Sequence, residues 1–251
     1  MDERVLRVLD FDKVAGMLAA RALTAPGREL AAGLRPAGTP GEARARLEET
    51  GEARRLLDRH GEPPFEGVGD LRPALGRAAR GATLTAPELL GLATTLAAAR
   101  RLRRFFAARA GDCPRLAELA AACGDFAALE AELGRCVTPE GEVADEATPA
   151  LAAWRRRVRE LQARLRETLE SLARSPSVRP YLQEPVVTLR EDRFVLPVKQ
   201  EFRHQVPGIV HDQSASGATL FVEPLAAVEL NNELRRAALE ARREEERVLA
   251  R

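Results

Sequence analysis

The chain has 251 residues, of which 45% are hydrophobic and 31% charged, so it can bury a sizeable core and is not compositionally disordered. Its 39 basic and 38 acidic residues give a formal net charge of +1, which excludes a polyanion-binding surface made by global charge alone. Three cysteines without a C-x-x-C pair support neither a disulfide framework nor a zinc site. No signal peptide or membrane-span pattern is present, so we expect a reducing cytoplasm and no membrane partner.

The first 150 residues show helical periodicity interrupted by proline and glycine clusters. We expect a helical hairpin over residues 5–34, followed by helices over residues 42–60, 71–80, 85–110 (or 87–110) and 114–133. Thr85 precedes Pro87 and Glu88, which is typical of an N-cap followed by a favourable first turn. These patterns predict an α-helical core over residues 1–150.

Residues 151–176 differ from the core because their apolar residues alternate at spacings of three and four. The stripe consists of Leu151, Trp154, Val158, Leu161, Leu165, Thr168 and Leu172. Such a stripe predicts one long helix that packs against a partner helix. Its other faces are rich in arginine, which we interpret as either a solvated flank or a basic contact surface.

Residues 186–222 read as strand, since Pro176, Pro180 and Pro185 end the helix and period-two alternation follows. Four short antiparallel strands are predicted over residues 186–190, 194–199, 208–213 and 218–222. Residues 191–192 supply one tight turn. Residues 214–217 supply another, with Gly217 at positive φ and the serine hydroxyls bonding nearby backbone.

Helical periodicity returns in residues 225–251, interrupted by the charge of Glu244. The apolar residues of this stripe are Leu230, Leu234, Ala237, Ala241 and Val248. Two such helices flanking a small sheet predict an antiparallel helical arm with a β-structured tip. The sequence stops at Arg251 without a glycine cap or a proline, so we expect a longer parent protein.

The run PGIVHDQSASGATLFVEP at residues 207–224 resembles a signature of the bacterial MutS-two family, the MutS-like branch distinct from mismatch-recognising MutS. The similarity continues in NNEL at residues 231–234, RFVLPVK at 193–199, GEVAD at 141–145 and, more loosely, LDFDKV at 9–14. It therefore extends over nearly the whole chain.

This resemblance implies a mainly α fold with MutS core, lever and clamp architecture. The helical core would be residues 1–150, the ascending lever helix 151–176, the β clamp 177–224 and the descending lever helix 225–251. In the family, the two lever helices form a long antiparallel pair that ends in a small antiparallel β clamp.

The resemblance also implies a function for the parent protein, as a homodimeric ATPase and endonuclease using ATP and Mg²⁺. The family is implicated in suppressing recombination through branched DNA and in splitting collided ribosomes. No glycine precedes a lysine here, so a phosphate loop is absent and we expect no cofactor and no catalytic site in this chain. The run LDRHG at residues 57–61 echoes a nuclease motif but is interpreted as a helix end.

A hydrolase interpretation of His211, Asp212, Ser214 and Ser216 is disfavoured. Adjacent residues of a strand point to opposite faces, and the surrounding sequence lacks G-x-S-x-G. We therefore expect a turn at this position and no catalytic triad.

Candidate nucleic-acid contacts lie in the clamp and on the ascending helix. In the clamp they are Arg193, Lys199, Arg203, His204 and His211, and on the helix Arg155, Arg156 and Arg159. Residues 186–223 contain four cations and five acids, which gives 4 − 5 = −1 with histidines neutral. Because a phosphate-binding clamp should be basic, one face would have to collect the clamp cations.

Two hypotheses follow for the role of this chain. The first is a non-catalytic module that binds nucleic acid and transmits force, with DNA (branched or double-stranded), the ribosome, or both as partner. The alternative is a purely structural coiled-coil spacer or dimerisation region, with nucleic-acid contact made by other domains of the parent.

Overall fold

The computed structural model describes residues 3–251, in which there are ten α-helices and one four-stranded sheet. The predicted core begins at residue 1, and its first two residues lie outside the described part. The chain divides into two compact units, one ending at Ala144 and one beginning at Asp145. The mainly helical composition with a small antiparallel sheet confirms the predicted secondary structure.

The regular secondary structure of the described part of the first unit is helical, apart from an isolated bridge between Val137 and Val143. Its helices are α1 Glu3–Val8, α2 Phe11–Ala19, α3 Ala25–Ala32, α4 Pro40–His60, α5 Arg72–Ala78, α6 Ala86–Ala107, α7 Pro114–Ala121 and α8 Ala127–Cys136. Thr85 begins α6 in a capping box with Glu88, as predicted. The described helices include none long and apolar enough to cross a membrane.

Two helix boundaries in this unit differ from the prediction. The first hairpin consists of α2 and α3, and a separate α1 precedes it because Asp10 has a φ of 51° and breaks the helix. The predicted helix 114–133 is two helices. Arg103 donates to the carbonyl oxygen of Gly124, and the Asp125 carboxylate accepts from the Ala127 N–H, so that α8 starts anew.

The core of the first unit is built from small clusters. One contains Leu56, Phe106 and Cys113, and another contains Leu84, Leu92 and Leu133. A buried carboxylate, that of Glu52, accepts hydrogen bonds from the N–H groups of Arg115 and Leu116 at the start of α7. This contact satisfies backbone donors that a helix start leaves unpaired.

The second unit contains the two long helices α9 Pro149–Arg174 and α10 Leu225–Leu249, which pack antiparallel. The predicted stripe of α9 is buried at Leu151, Leu161 and Leu165. Near its end, Leu169 and Ala173 are fully buried instead of Thr168 and Leu172. A helix of about 3.6 residues per turn drifts from a seven-residue repeat, and here α9 packs on the sheet rather than only on α10.

The sheet has the strand order β1-β2-β4-β3 and is antiparallel throughout. Its strands are β1 Thr188–Arg190, β2 Arg193–Lys199, β3 Gly208–Gln213 and β4 Thr219–Pro224. Glu191 and Asp192 both have positive φ, which suits the predicted two-residue hairpin turn. Gly217 has a φ of 74°, and the Ser214 hydroxyl accepts from the Thr219 N–H, as expected.

One face of the sheet forms the main core of the second unit. Leu196 and Val198 of β2 and Leu220 and Val222 of β4 pack in one cluster with residues of both long helices. The helix residues of this cluster are Leu161, Leu165, Leu169, Ala173, Ala227, Leu234 and Ala237. This core fixes the position of the sheet on the helix pair.

Candidate nucleic-acid interface

The structure separates the eight predicted nucleic-acid contacts into three places. Arg193 and His211 lie where the sheet meets α10. Lys199, Arg203 and His204 lie at or beyond the end of β2, and Arg155, Arg156 and Arg159 lie in the first turns of α9. The single face that would collect all five clamp cations is therefore not formed.

Arg193 and His211 both contact one buried carboxylate. Glu223 is 0% exposed, and its two oxygens lie 2.6 Å from Arg193 Nη1 and 2.6 Å from His211 Nε2. The second guanidinium nitrogen of Arg193 donates to Asn232 Oδ1 at 2.8 Å. Arg193 compensates the charge of Glu223, so a phosphate contact by Arg193 would have to replace a buried ion pair.

Asn231 extends this network to the backbone of β2. Its side chain is buried at 1% exposure, with Oδ1 accepting from Phe194 N at 3.0 Å and Nδ2 donating to Phe194 O at 3.1 Å. The amide thus pairs both backbone groups of a strand residue as a neighbouring strand would. We name these connected residues the anchor cluster: Arg193, His211, Glu223, Asn231 and Asn232.

Glu223, Asn231 and Asn232 are not among the predicted contact residues. One feature of the sequence could have identified Glu223. It follows Phe221 and Val222 in an otherwise apolar strand, and a charge in a buried strand requires a partner. Its partners lie 12 and 30 residues away, so only the strand register could identify them.

The opposite end of the sheet has a different character. We name it the free end, comprising residues 179–181, 199–205 and 214–217. The strand register pairs Lys199 with Thr219 here, remote from the point where β4 enters α10. Lys199 is half-buried and donates to the carbonyl oxygen of Pro180 at 3.2 Å. Arg203 and His204 are exposed, and neither forms an ion pair with any residue of the described chain.

The free end is basic although the clamp sequence is not. Arg179, Lys199 and Arg203 face a single acid, Glu201, which gives 3 − 1 = +2 with His204 neutral. Over residues 177–224 the total is 5 − 6 = −1, and five of those acids lie outside the free end. Glu184 is exposed three residues after Tyr181, Asp212 is 3.2 Å from Arg190, Glu223 is buried, and Glu191 and Asp192 form the β1–β2 turn. The fold therefore places an excess of cations at one end of the sheet, which the net charge of the whole segment does not reveal.

Two of the three predicted arginines on α9 are engaged within the second unit. Arg155 contacts Asp145 at 2.8 Å and Glu245 at 3.1 Å, and Arg159 contacts Asp145 at 2.9 Å. The two guanidinium groups hold the pKa of Asp145 below its ordinary value. Arg156 is exposed, and the described residues offer it no ion pair.

A second buried carboxylate lies where α9 begins and α10 ends. Glu244, 7% exposed, accepts from the Thr148 hydroxyl at 3.0 Å and from Arg247 Nη1 at 3.0 Å. Thr148 is itself the N-cap of α9, because its oxygen accepts from Leu151 N at 3.0 Å. Arg247 and then Thr148 hold the pKa of Glu244 below its ordinary value. The charge that interrupts the stripe of α10 thus secures this end of the helix pair.

Of the residues considered for hydrolase chemistry, the two serine hydroxyls of Ser214 and Ser216 lie 3.3 Å apart, and His211 and Asp212 contact other groups. His211 contacts Glu223, the Asp212 carboxylate accepts from the Gln213 N–H, and the Ser214 hydroxyl accepts from the Thr219 N–H. Within the described residues, no group of three or more His, Cys, Asp and Glu side chains is placed to hold a metal ion.

Known proteins place the chain in a family, although no protein-family model matches it. It is 51% identical over 251 residues to the protein named Endonuclease MutS2 of Symbiobacterium thermophilum. The proteins of the same name from Pelotomaculum thermopropionicum and Geobacillus thermodenitrificans are 47% and 45% identical. These matches cover 99–100% of the chain but 31–32% of the relatives, so the chain spans about a third of their length. The chain therefore belongs to the MutS-two (MutS2) family, as the similarity of residues 207–224 and 231–234 predicts.

Proposed function

We propose that this part of a MutS-two protein is a non-catalytic module that binds nucleic acid through the free end of its sheet. The observation that supports the proposal is the charge at that end, where Arg179, Lys199 and Arg203 are accompanied by one acid. Cations that form no internal ion pair can exchange counterions for phosphates, which is the main source of nucleic-acid affinity.

The core, lever and clamp architecture of MutS proteins is part of this proposal. Residues 1–150 would be the core, 151–176 the ascending lever, 177–224 the clamp and 225–251 the descending lever. The bounds of α9 and α10 agree with the two levers, and the sheet between them agrees with the clamp. The anchor cluster joins β2, β3 and β4 to α10, so motion of the helix would move the strands.

The activities of the parent protein are proposed from its family. The relatives are named endonucleases and are about three times as long as this chain. We infer that a homodimeric parent binds ATP and Mg²⁺ and cleaves nucleic acid through the parts not spanned here. Nucleotide-driven motion would then pass through the levers to the clamp. Branched DNA during recombination and the RNA of a collided ribosome both offer the phosphates that the free end would bind.

The alternative role is a structural spacer that aids dimerisation, without nucleic-acid contact. It is favoured by the internal ion pairs of α9, in which Arg155, Arg157 and Arg159 all contact acids of the second unit. Under this alternative, the free-end cations serve only solubility. The two roles differ in how binding depends on salt.

The deciding experiment is fluorescence anisotropy of labelled branched and duplex DNA and of ribosomal RNA at several salt concentrations. Each lost phosphate contact should reduce the slope of log K against log salt by about 1. We expect this reduction for Arg203→Glu and for Lys199→Glu. Arg235→Glu is the matched control, since Arg235 is exposed on α10 and no described residue forms an ion pair with it. Equal slopes in all four proteins would favour the spacer.

A further inference from the structure

The free end contains an aromatic pair beside its cations. The ring centroids of Tyr181 and Phe202 are 5.2 Å apart with planes inclined by 45°. The ammonium group of Lys199 is 5.9 Å from the centroid of the Phe202 ring. The chain has eight Phe, one Trp and one Tyr, so two of its ten aromatic side chains lie at this end of a small sheet.

Phe202 lies in a short segment of otherwise polar and charged residues. It lies in the 3₁₀ segment Gln200–Gln205, between charged residues Glu201 and Arg203, where its backbone interrupts the helical geometry. Its ring is half-buried and is not among the side chains packed on the core of the second unit, whereas Tyr181 is. A ring left partly in water provides only part of the stabilisation that full burial would provide.

Tyr181 leaves its polar edge accessible. Its hydroxyl has no hydrogen-bond partner in the described chain, and it is absent from the buried unpaired polar atoms, which are Arg109 Nε and Thr188 Oγ1. Tyr181 therefore supports Phe202 from the core side while its hydroxyl reaches solvent. The pair has the Lys199 ammonium group near the Phe202 ring, and the exposed Arg203 and Arg179 are close to Phe202 and Tyr181 in sequence.

We propose that Phe202, supported by Tyr181, is a stacking platform for an unpaired nucleobase, and that the neighbouring cations bind the phosphates on either side of that base. This inference rests on the proposed function and narrows it to nucleic acids that expose single-stranded bases. Base pairs inside a continuous duplex cannot offer a free face to the ring, whereas every unpaired base has one. Stacking tolerates any base, so no sequence preference is expected.

The test uses two oligonucleotides with equal numbers of phosphates, a single strand and a fully paired duplex. Each contains a fluorescent adenine analogue whose emission is quenched by stacking. We expect the chain to bind the single strand more tightly and to quench its emission. Phe202→Leu should weaken single-strand binding by about 5- to 100-fold and remove the quenching, with duplex binding unchanged. DNA and RNA versions of the strand distinguish the two sources of unpaired bases.

The controls separate stacking from folding and from charge. Phe202→Tyr keeps an aromatic face and should retain tight binding and quenching. Phe126→Leu alters an exposed phenylalanine in the first unit and should have no effect. Denaturation followed by the fluorescence of Trp154 establishes that each variant of the second unit is folded.

Two results would overturn the inference. If Phe202→Leu binds both oligonucleotides as the unaltered chain does, while Arg203→Glu binds both less tightly, the free end binds phosphates without stacking. In that case the proposed function stands and the platform fails. If the unaltered chain binds neither oligonucleotide at any salt concentration, the proposed function and the platform fail together.

Discussion

Basic residues of the same sheet occupy two contrasting environments. In the anchor cluster, the Arg193 side chain is 16% exposed and contacts a carboxylate that is 0% exposed. At the free end, Arg203 is exposed, and the ion pairs of the described chain do not include it. The comparison shows that the neighbours of a cation, rather than its residue type, determine whether it stabilises the fold or is available to bind a ligand.

The physical reason is the cost of removing charge from water. An unpaired carboxylate inside a protein is destabilising by several kcal/mol, so the buried Glu223 requires Arg193. Arg203 at the free end is exposed and stays hydrated, so it carries no such penalty, and its counterion can be released when a phosphate replaces it. Substitution of Arg193 should therefore lower the stability of the fold, whereas substitution of Arg203 should weaken nucleic-acid binding.

The largest expected effect concerns the anchor cluster. Glu223→Ala leaves Arg193 and His211 without their shared carboxylate, and we expect a loss of about 3–5 kcal/mol in the free energy of unfolding. Urea denaturation followed by the fluorescence of Trp154, the only tryptophan, reports on the second unit. Glu201→Ala removes an acid from the free end and should change stability by less than about 0.5 kcal/mol. Equal free energies of unfolding for the two variants would contradict the claim that the anchor cluster stabilises the fold and the free end does not.

A smaller, pH-dependent effect is expected at the far end of the helix pair. Because the folded pKa of Glu244 is below its ordinary value of 4.5, its contribution is complete above that value and is lost as the pH falls through the folded pKa. The urea midpoint of the chain should therefore exceed that of Glu244→Gln at neutral pH and approach it as the pH falls through the folded pKa of Glu244. Glu229→Gln, at an exposed position, should leave the midpoint unchanged at neutral pH. A constant difference between the chain and Glu244→Gln over this range would contradict the assigned ion pairs.

Much of the second unit could be predicted from its sequence because its patterns are local. The stripe of α9 and the alternation of β2 each follow from spacing within one element. The turns at residues 191–192 and 214–217 follow from short polar runs. The first unit was less predictable. The break before α8 depends on the Arg103 contact with Gly124, between residues 21 positions apart.

The candidate site could be predicted only in part for the same reason. Lys199, Arg203 and His204 are near one another in sequence, and they share one end of the sheet. Arg193 and His211 were grouped with them by charge alone. Their attachment to Glu223 depends on β2 and β3 lying on either side of β4, which is a property of the sheet. The aromatic pair was also missed, since Tyr181 and Phe202 are 21 residues apart.

The most direct test of the two environments is a matched pair of substitutions, Arg193→Gln and Arg203→Gln, because each removes one positive charge from the same sheet. For each variant, the free energy of unfolding and the salt dependence of oligonucleotide binding are measured together. We predict that Arg193→Gln lowers stability by about 3 kcal/mol with the salt slope unchanged. Arg203→Gln should reduce the slope by about 1 with stability unchanged. The reverse assignment, with Arg193→Gln alone reducing the slope, would contradict the account.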